Sequence, residues 1–263
     1  FMIATNCDVA YGIVAVSALV PALLYYFYLF ICLDAEAKKN GLKGLEASEL
    51  PSIKTALKKR GHMLIPLVVL IFLLVSGYSP GKSVFWSIIL LIATAAIKKD
   101  TRMGWKSIVH AIQNGVYSAA AVAIACACAG IISGVISLTG LGLRFSSILI
   151  QLSGGNLLVM LLLTMLAAII MGMGLPTSAA YVILAVLTSP ALIELGVTPL
   201  AAHFFIFFFA CISTITPPVA LSAYAGAGIA VSDPMKTGWT AFTLGLAGYI
   251  VPFLAVYKPS VKL

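Results

Sequence analysis

The sequence predicts an all-α integral membrane protein, on three observations. Hydrophobic residues make up 62% of the 263 positions, charged residues only 9%, and mean hydropathy is +1.11. Soluble domains average about 25% charged residues, so this composition leaves too little polar surface to face water. Second, the apolar residues fall into runs long enough to enter or cross a hydrocarbon core about 30 Å thick. Third, the charges lie between those runs. Seven of the 16 Lys and Arg fall from Lys38 to Arg60, and four more from Lys98 to Lys106. The positive-inside bias accounts for the net charge of +8. No basic face with interleaved aromatics exists, which argues against a nucleic-acid partner. Cys7, Cys32, Cys126, Cys128 and Cys211 lack the spacing of a metal site or a disulfide framework, and read as small buried residues.

Along the chain, Val9 to Leu33 is the first span, kinked at Pro21. Residues 34–61 form a water-soluble basic loop with a short amphipathic helix from Ser52 to Arg60. Two apolar segments, His62 to Val75 and Val84 to Ile97, are joined by a turn-rich loop from Ser76 to Lys82. Trp105 to Asn114 reads as an interfacial helix. Val116 to Leu138 is a span rich in small residues, suited to close helix approach. Thr139 to Gly155 is a loop or interfacial segment. Asn156 to Met171 is strongly apolar, Ser178 to Leu195 resumes as helix with a break at Pro190, Leu200 to Ile229 is long but interrupted, and Thr237 to Tyr257 is the last span. The two basic loops go to the cytoplasm and the loop around Pro80 to the outside. Phe1 rather than Met opens the chain, and no signal peptide precedes the first run, so the chain reads as a piece of a larger polypeptide.

Two features depart from plain membrane helices. Gly172-Met173-Gly174-Leu175-Pro176-Thr177-Ser178 should stop a helix. Unpaired backbone groups cost several kcal/mol in lipid, so such a break survives only inside protein or beside water. The flanking apolar arms suggest a re-entrant hairpin with hydroxyls at its tip, although two full spans give the same charge parity. In Ser213-Thr214-Ile215-Thr216-Pro217-Pro218, two prolines remove two donors, freeing carbonyls around Cys211 to Thr214. Freed carbonyls and three hydroxyls suit a hard cation such as sodium, and a helix start after Pro218 suits an anion. A single Pro kink is usually structural; two hydroxyl-rich breaks about 40 residues apart are the pointer to a transport site.

Other candidates have plainer readings. Glu194 and Asp233 read as solvated charges at segment ends, and Asp8 as a boundary residue. His203 reads as an interfacial, hydrogen-bonded histidine rather than a proton relay, and Arg144 as a headgroup contact. Tyr224 to Gly228 reads as a close helix-packing surface. No nucleophile–base pair, metal-ligand cluster or phosphate loop supports an enzyme.

Met171 to Tyr181, Gly196 to His203 and Thr214 to Tyr224 together resemble the large permease subunit of TRAP transporters, and more narrowly the fused permease of the TAXI type. Asp233 to Trp239, Tyr249 to Phe253, Pro21 to Tyr26 and Glu36 to Gly44 extend the likeness over nearly the whole chain. The resemblance implies a bacterial or archaeal secondary transporter of the cytoplasmic (inner) membrane. It would import organic acids on a sodium gradient by an elevator motion, with substrate delivered by a periplasmic binding protein. The family's large subunit has two inverted repeats, each with a re-entrant hairpin and a discontinuous transmembrane helix. This chain matches the second repeat. Residues 1–113 would then be scaffold-like helices with the cytoplasmic loop 34–61. Residues 114–263 would be the transport-like region, with the hairpin at about 156–195 and the broken helix at about 200–229. The first repeat and the small membrane subunit, fused or separate, would be missing parts, making the chain a C-terminal fragment. Sodium would bind near Gly172, Gly174, Ser213, Thr214 and Thr216, and the substrate carboxylate near Thr177, Ser178, Pro217 and Pro218. No organic cofactor and no other metal is expected. Another ion-coupled anion carrier, a channel-like pore and an inactive truncated product stay open.

Overall fold

The structure, a computed structural model, describes residues 1–42, 52–98 and 100–257; the middle of the 34–61 loop therefore lies outside the described residues. Among the described residues there are helices and no strands. The helices are α1 (Met2–Cys7), α2 (Tyr11–Lys39), α3 (Ile53–Arg60), α4 (Ile65–Val75), α5 (Pro80–Ala96), α6 (Trp105–Thr139), α7 (Leu141–Ser153), α8 (Leu157–Gly172), α9 (Thr177–Glu194), α10 (Pro199–Ile212), α11 (Leu221–Ala230), α12 (Pro234–Leu244) and α13 (Ala247–Tyr257). Short 3-10 turns occupy Gly61–Leu64 and Ser213–Ile215. Among the described residues, four stretches are long and apolar enough to cross a membrane: α2, α6, α9, and α12 with α13. Side chains such as Phe30, Phe72 and Leu138 are largely exposed, which is tolerable against lipid or a protein partner. The chain is a multi-pass membrane protein.

Two compact units divide the chain. The first comprises Phe1–Val16 and Glu36–Ala119, the second Ser17–Ala35 and Ala120–Leu263. In the first, α4 and α5 pack as a hairpin, with Ser87 Oγ donating to the Ser83 carbonyl at 2.7 Å. In the second, α8, α9 and α10 pack on one another, α7 lies against α8 and α9, and α13 lies against α10. Phe205 and Phe209 of α10 meet Phe253 of α13 edge-on. Part of α6 joins this core through Ala129 and Ile136, packed with Ala179, Ile183 and Leu187 of α9.

Several boundaries differ from the sequence expectation, each for a local reason. Helix α2 runs six residues past Leu33. Ala35 to Lys39 are good helix formers, and the helix ends where Asn40 Nδ2 bonds the Glu36 carbonyl and Gly41 takes a φ of 66°. The turn from Ser76 to Lys82 is shorter than expected, because Ser79 caps α5 and Pro80 starts it. Trp105 to Thr139 is one helix; Gly115 costs only about 1 kcal/mol in a helix interior and does not divide it. The segment from Thr139 to Gly155, expected as a loop or interfacial segment, is helix α7, bounded by Gly140 and Gly154 at positive φ. Pro190 does not break α9. Ser189 Oγ donates to the Ala185 carbonyl at 2.7 Å, and Ser146 Oγ of α7 donates to the Leu187 carbonyl at 3.0 Å. These bonds support carbonyls on either side of Val186, the one deprived by proline. Conversely, the expected last span divides at Gly245, where a methyl group would fall 2.7 Å from Ile215 Cδ1. Gly226 and Gly228 face open space; α11 is buried instead through Ala223 and Ala227.

The buried residues of α8 are Met160, Leu161, Thr164, Ala168 and Gly172, and all but Leu161 recur every fourth position as a stripe. Thr164 is fully buried, and among the described residues its hydroxyl has no hydrogen-bond partner. An unmade buried hydrogen bond costs about 1–3 kcal/mol. Thr164→Val, which keeps the shape and removes the hydroxyl, should therefore raise the thermal unfolding midpoint of the detergent-solubilised protein. A lowered midpoint would mean that the hydroxyl makes a stabilising bond.

Candidate functional site

The first break begins where the buried stripe of α8 reaches Gly172. Met173 is extended, Gly174 sits at a φ of 77°, and the Leu175 N–H returns to the Gly172 carbonyl at 3.3 Å. Only glycine enters that left-handed conformation without strain. Pro176 then precedes α9, whose first residues are Thr177 and Ser178, and no side chain caps this start. The second break begins at Ser213, where α10 tightens into a 3-10 turn. Thr216 is extended, the Pro217–Pro218 bond is cis, and Ala220 has a φ of 29°. Helix resumes only at Leu221, so the helix start expected directly after Pro218 lies three residues on.

The two breaks face each other. A methyl group on Gly172 would fall 2.5 Å from Ser213 Oγ and 3.0 Å from Ser213 Cβ, and one on Gly174 would fall 3.6 Å from Val219 Cγ1. The Thr177 side chain lies near the Cys211 thiol. Gly172, Gly174 and Thr177 thus stand against Ser213, Val219 and Cys211. Ser178 turns away from this junction: its Oγ lies 3.4 Å from Cys126 Sγ on α6. Pro218 is exposed, and its carbonyl accepts a bond from the Tyr224 hydroxyl.

The hydroxyls of the second break are already engaged as donors. Ser213 Oγ donates to the Ala210 carbonyl at 2.8 Å, Thr214 Oγ1 to Cys211 at 2.7 Å, and Thr216 Oγ1 to Ile212 at 2.7 Å. The Thr216 N–H reaches the Ser213 carbonyl at 3.3 Å. The carbonyls of Cys211, Ile212 and Ser213, expected to be free, therefore have donors. Thr214 is different. Its carbonyl would pair with residue 218 in an α-helix and with residue 217 in a 3-10 helix, and both are prolines without an N–H. The Thr214 carbonyl thus has no helical donor, and the hydroxyl lone pairs can still accept. Such neutral oxygens suit a hard cation. Among the described residues, no three His, Cys, Asp or Glu side chains come together.

Partners of the site that the sequence did not reveal come from later helices. Tyr249 of α13 places its hydroxyl 2.5 Å from Thr216 Oγ1. Gly248 lets α13 approach Ile212 and Tyr25, which would lie 2.3 and 3.3 Å from an added methyl. Their only sequence signal was the Tyr249 to Phe253 motif. On its outer side α10 borders a cavity of about 380 Å³ shared with α2, lined by Tyr25, Tyr26, Phe207, Phe208 and Ile215; aromatic walls do not suit a carboxylate. The secondary candidates resolve plainly. His203 is hydrogen-bonded as expected, and it is buried, with Nδ1 2.8 Å from the Tyr181 hydroxyl. Asp233 caps α12 by accepting from the Lys236 N–H at 2.8 Å, beyond its expected role as a solvated charge. Glu194 and Arg144 are exposed.

Residues 1–261 match the family model described as Tripartite ATP-independent periplasmic transporter, DctM component. The chain belongs to that family, the large permease component of TRAP transporters, which are transporters and not enzymes. No curated protein matches the chain.

The apposition of the breaks is testable without a substrate. Gly172→Ala should destabilise the protein by about 1–3 kcal/mol through overpacking on Ser213. Ser213→Gly in the same chain should recover most of that loss. The two changes should couple by about 1 kcal/mol or more in a double-mutant cycle of detergent unfolding midpoints. Strictly additive effects would separate the two breaks.

Proposed function

We propose that this member of the DctM family is the permease of a sodium-coupled symporter that imports an organic acid across a bacterial or archaeal cytoplasmic membrane. The observation that carries the reading is the contact of Gly172 with Ser213, which brings two interrupted helices to one point. Paired discontinuous helices are the recurrent architecture of secondary-transporter sites. The Thr214 carbonyl, the lone pairs of the Ser213, Thr214 and Thr216 hydroxyls, and the backbone around Gly172 and Gly174 supply the oxygens for sodium. The uncapped start of α9 at Thr177 and Ser178 supplies N–H groups and a favourable dipole for a carboxylate. Pro217 and Pro218, which carry no N–H themselves, border the substrate side.

A tripartite transporter has two further components, an extracytoplasmic binding protein that delivers substrate and a small membrane subunit. We read the chain as TAXI-type from its motifs, and as the second of two inverted repeats. The Gly172 to Ser178 turn is then the tip of a re-entrant hairpin. Transport proceeds by an elevator motion, in which the segment carrying both breaks crosses the membrane with its cargo.

Thr216 offers the most direct mutational test, because its hydroxyl bonds both Ile212 and Tyr249. In proteoliposomes holding the complete transporter, uptake should saturate, require the binding protein and follow the sodium gradient. Thr216→Val should raise the sodium concentration needed for half-maximal uptake by about tenfold, the scale of one lost hydrogen bond or ligand contact, while Thr216→Ser should stay close to wild type. Sodium-independent uptake would remove the coupling, and non-saturating flux without the binding protein would indicate a pore.

A further inference from the structure

We propose that α3, with Arg102 and Lys106, forms a binding surface for the headgroups of anionic phospholipids. Between Ser52 and Lys106 the sequence has nine Lys and Arg and one acid, Asp100. On α3 itself Lys54, Lys58, Lys59 and Arg60 are all exposed, and among the described residues none of them is in an ion pair. The helix end does not consume these charges. Its C-terminal carbonyls are closed by Lys98, whose Nζ donates to Lys59 at 2.7 Å and to Lys58 at 3.1 Å. The same junction is fastened by Thr101, whose hydroxyl donates to the Ala95 carbonyl at 2.9 Å and lies 3.3 Å from His62 Nε2. The four cations are therefore displayed from a helix held in place on the end of α5.

The short link to α4 sets their depth. One 3-10 turn, Gly61–Leu64, separates α3 from α4. The exposed side chains of α4, including Leu67, Val68 and Phe72, are those of a lipid-facing helix. The cations thus sit within a turn or two of the hydrocarbon edge, where phosphates lie. Leu57, 58% exposed on α3, and Trp105, 78% exposed beside Lys106, give the surface apolar anchors of the kind found at headgroup level. Soluble polyanions lack acyl chains to meet Leu57 and the α4 face, so lipid is the ligand that matches both halves of the surface.

The test uses the reconstituted protein and electron paramagnetic resonance of spin-labelled phosphatidylglycerol and phosphatidylcholine. The wild type should prefer the anionic probe. Combined Lys54→Gln, Lys58→Gln, Lys59→Gln and Arg60→Gln should lower that preference at least about fivefold, the effect of one juxtamembrane charge. Combined Lys82→Gln and Lys236→Gln should leave it unchanged. No preference in the wild type, an unaltered preference in the α3 variant, or an equal loss in the control would overturn the proposal, as would displacement of the lipid by short duplex DNA. If the α3 variant does not reconstitute, photoactivatable phosphatidylglycerol on the wild type decides. Labelled peptides from 52–60 or 100–106 support the site, and labelling confined to other segments overturns it.

Discussion

A backbone N–H or C=O left unpaired in hydrocarbon costs several kcal/mol. That penalty governs this chain, because two of its apolar helices stop where plain spans would continue. Each interruption exposes polar backbone that must be covered by protein, by water or by a bound ligand. Here much of the cover comes from the other interruption. Gly172 has no side chain, so α8 can close on Ser213, and Gly174 can place its backbone against Val219. Hydroxyls finish the accounting: Thr214 and Thr216 return their protons to the carbonyls of Cys211 and Ile212. The Thr214 carbonyl is left over by the two prolines, and a coupling cation is what the proposed function puts there.

The rest of the second unit keeps this junction in register. Phe205, Phe209 and Phe253 lock α10 to α13, which holds Tyr249 over Thr216. Gly245 and Gly248 are the close approaches that permit it. On the other side, Ser146 and the apolar contacts of α6 and α7 hold α9, which carries Thr177 and Ser178. A structural hydrogen bond between Tyr181 and His203 ties α9 to α10.

The membrane class and both breaks were legible in the sequence because they are backbone statements: composition selects the solvent, and Gly, Pro-Pro and hydroxyl clusters mark where a helix ends. What each break touches was not legible. Ser178 and Thr177 are neighbours in sequence, yet the step of about 100° per residue along α9 sends one toward Cys126 and the other toward Cys211. The same limit explains the misread boundaries. Gly115 and Pro190 resemble Gly174 and Pro176 locally, but helical neighbours and the hydroxyls of Ser146 and Ser189 carry the chain through. Gly245 looks innocuous and yet interrupts the last span, because Ile215 from another break packs against it. Tertiary contact decides which local signal is obeyed.

The most direct measurement of whether the two breaks share one site uses a native cysteine. Thr177 at the first break lies near the Cys211 thiol at the second. Thr177→Cys, with Cys7, Cys32, Cys126 and Cys128 replaced by Ala, should form a disulfide with Cys211 under mild oxidation in native membranes. Mass spectrometry should identify the peptide pair. Two free thiols after oxidation, with both positions reactive to maleimide, would mean that the breaks stand apart and that no shared site exists.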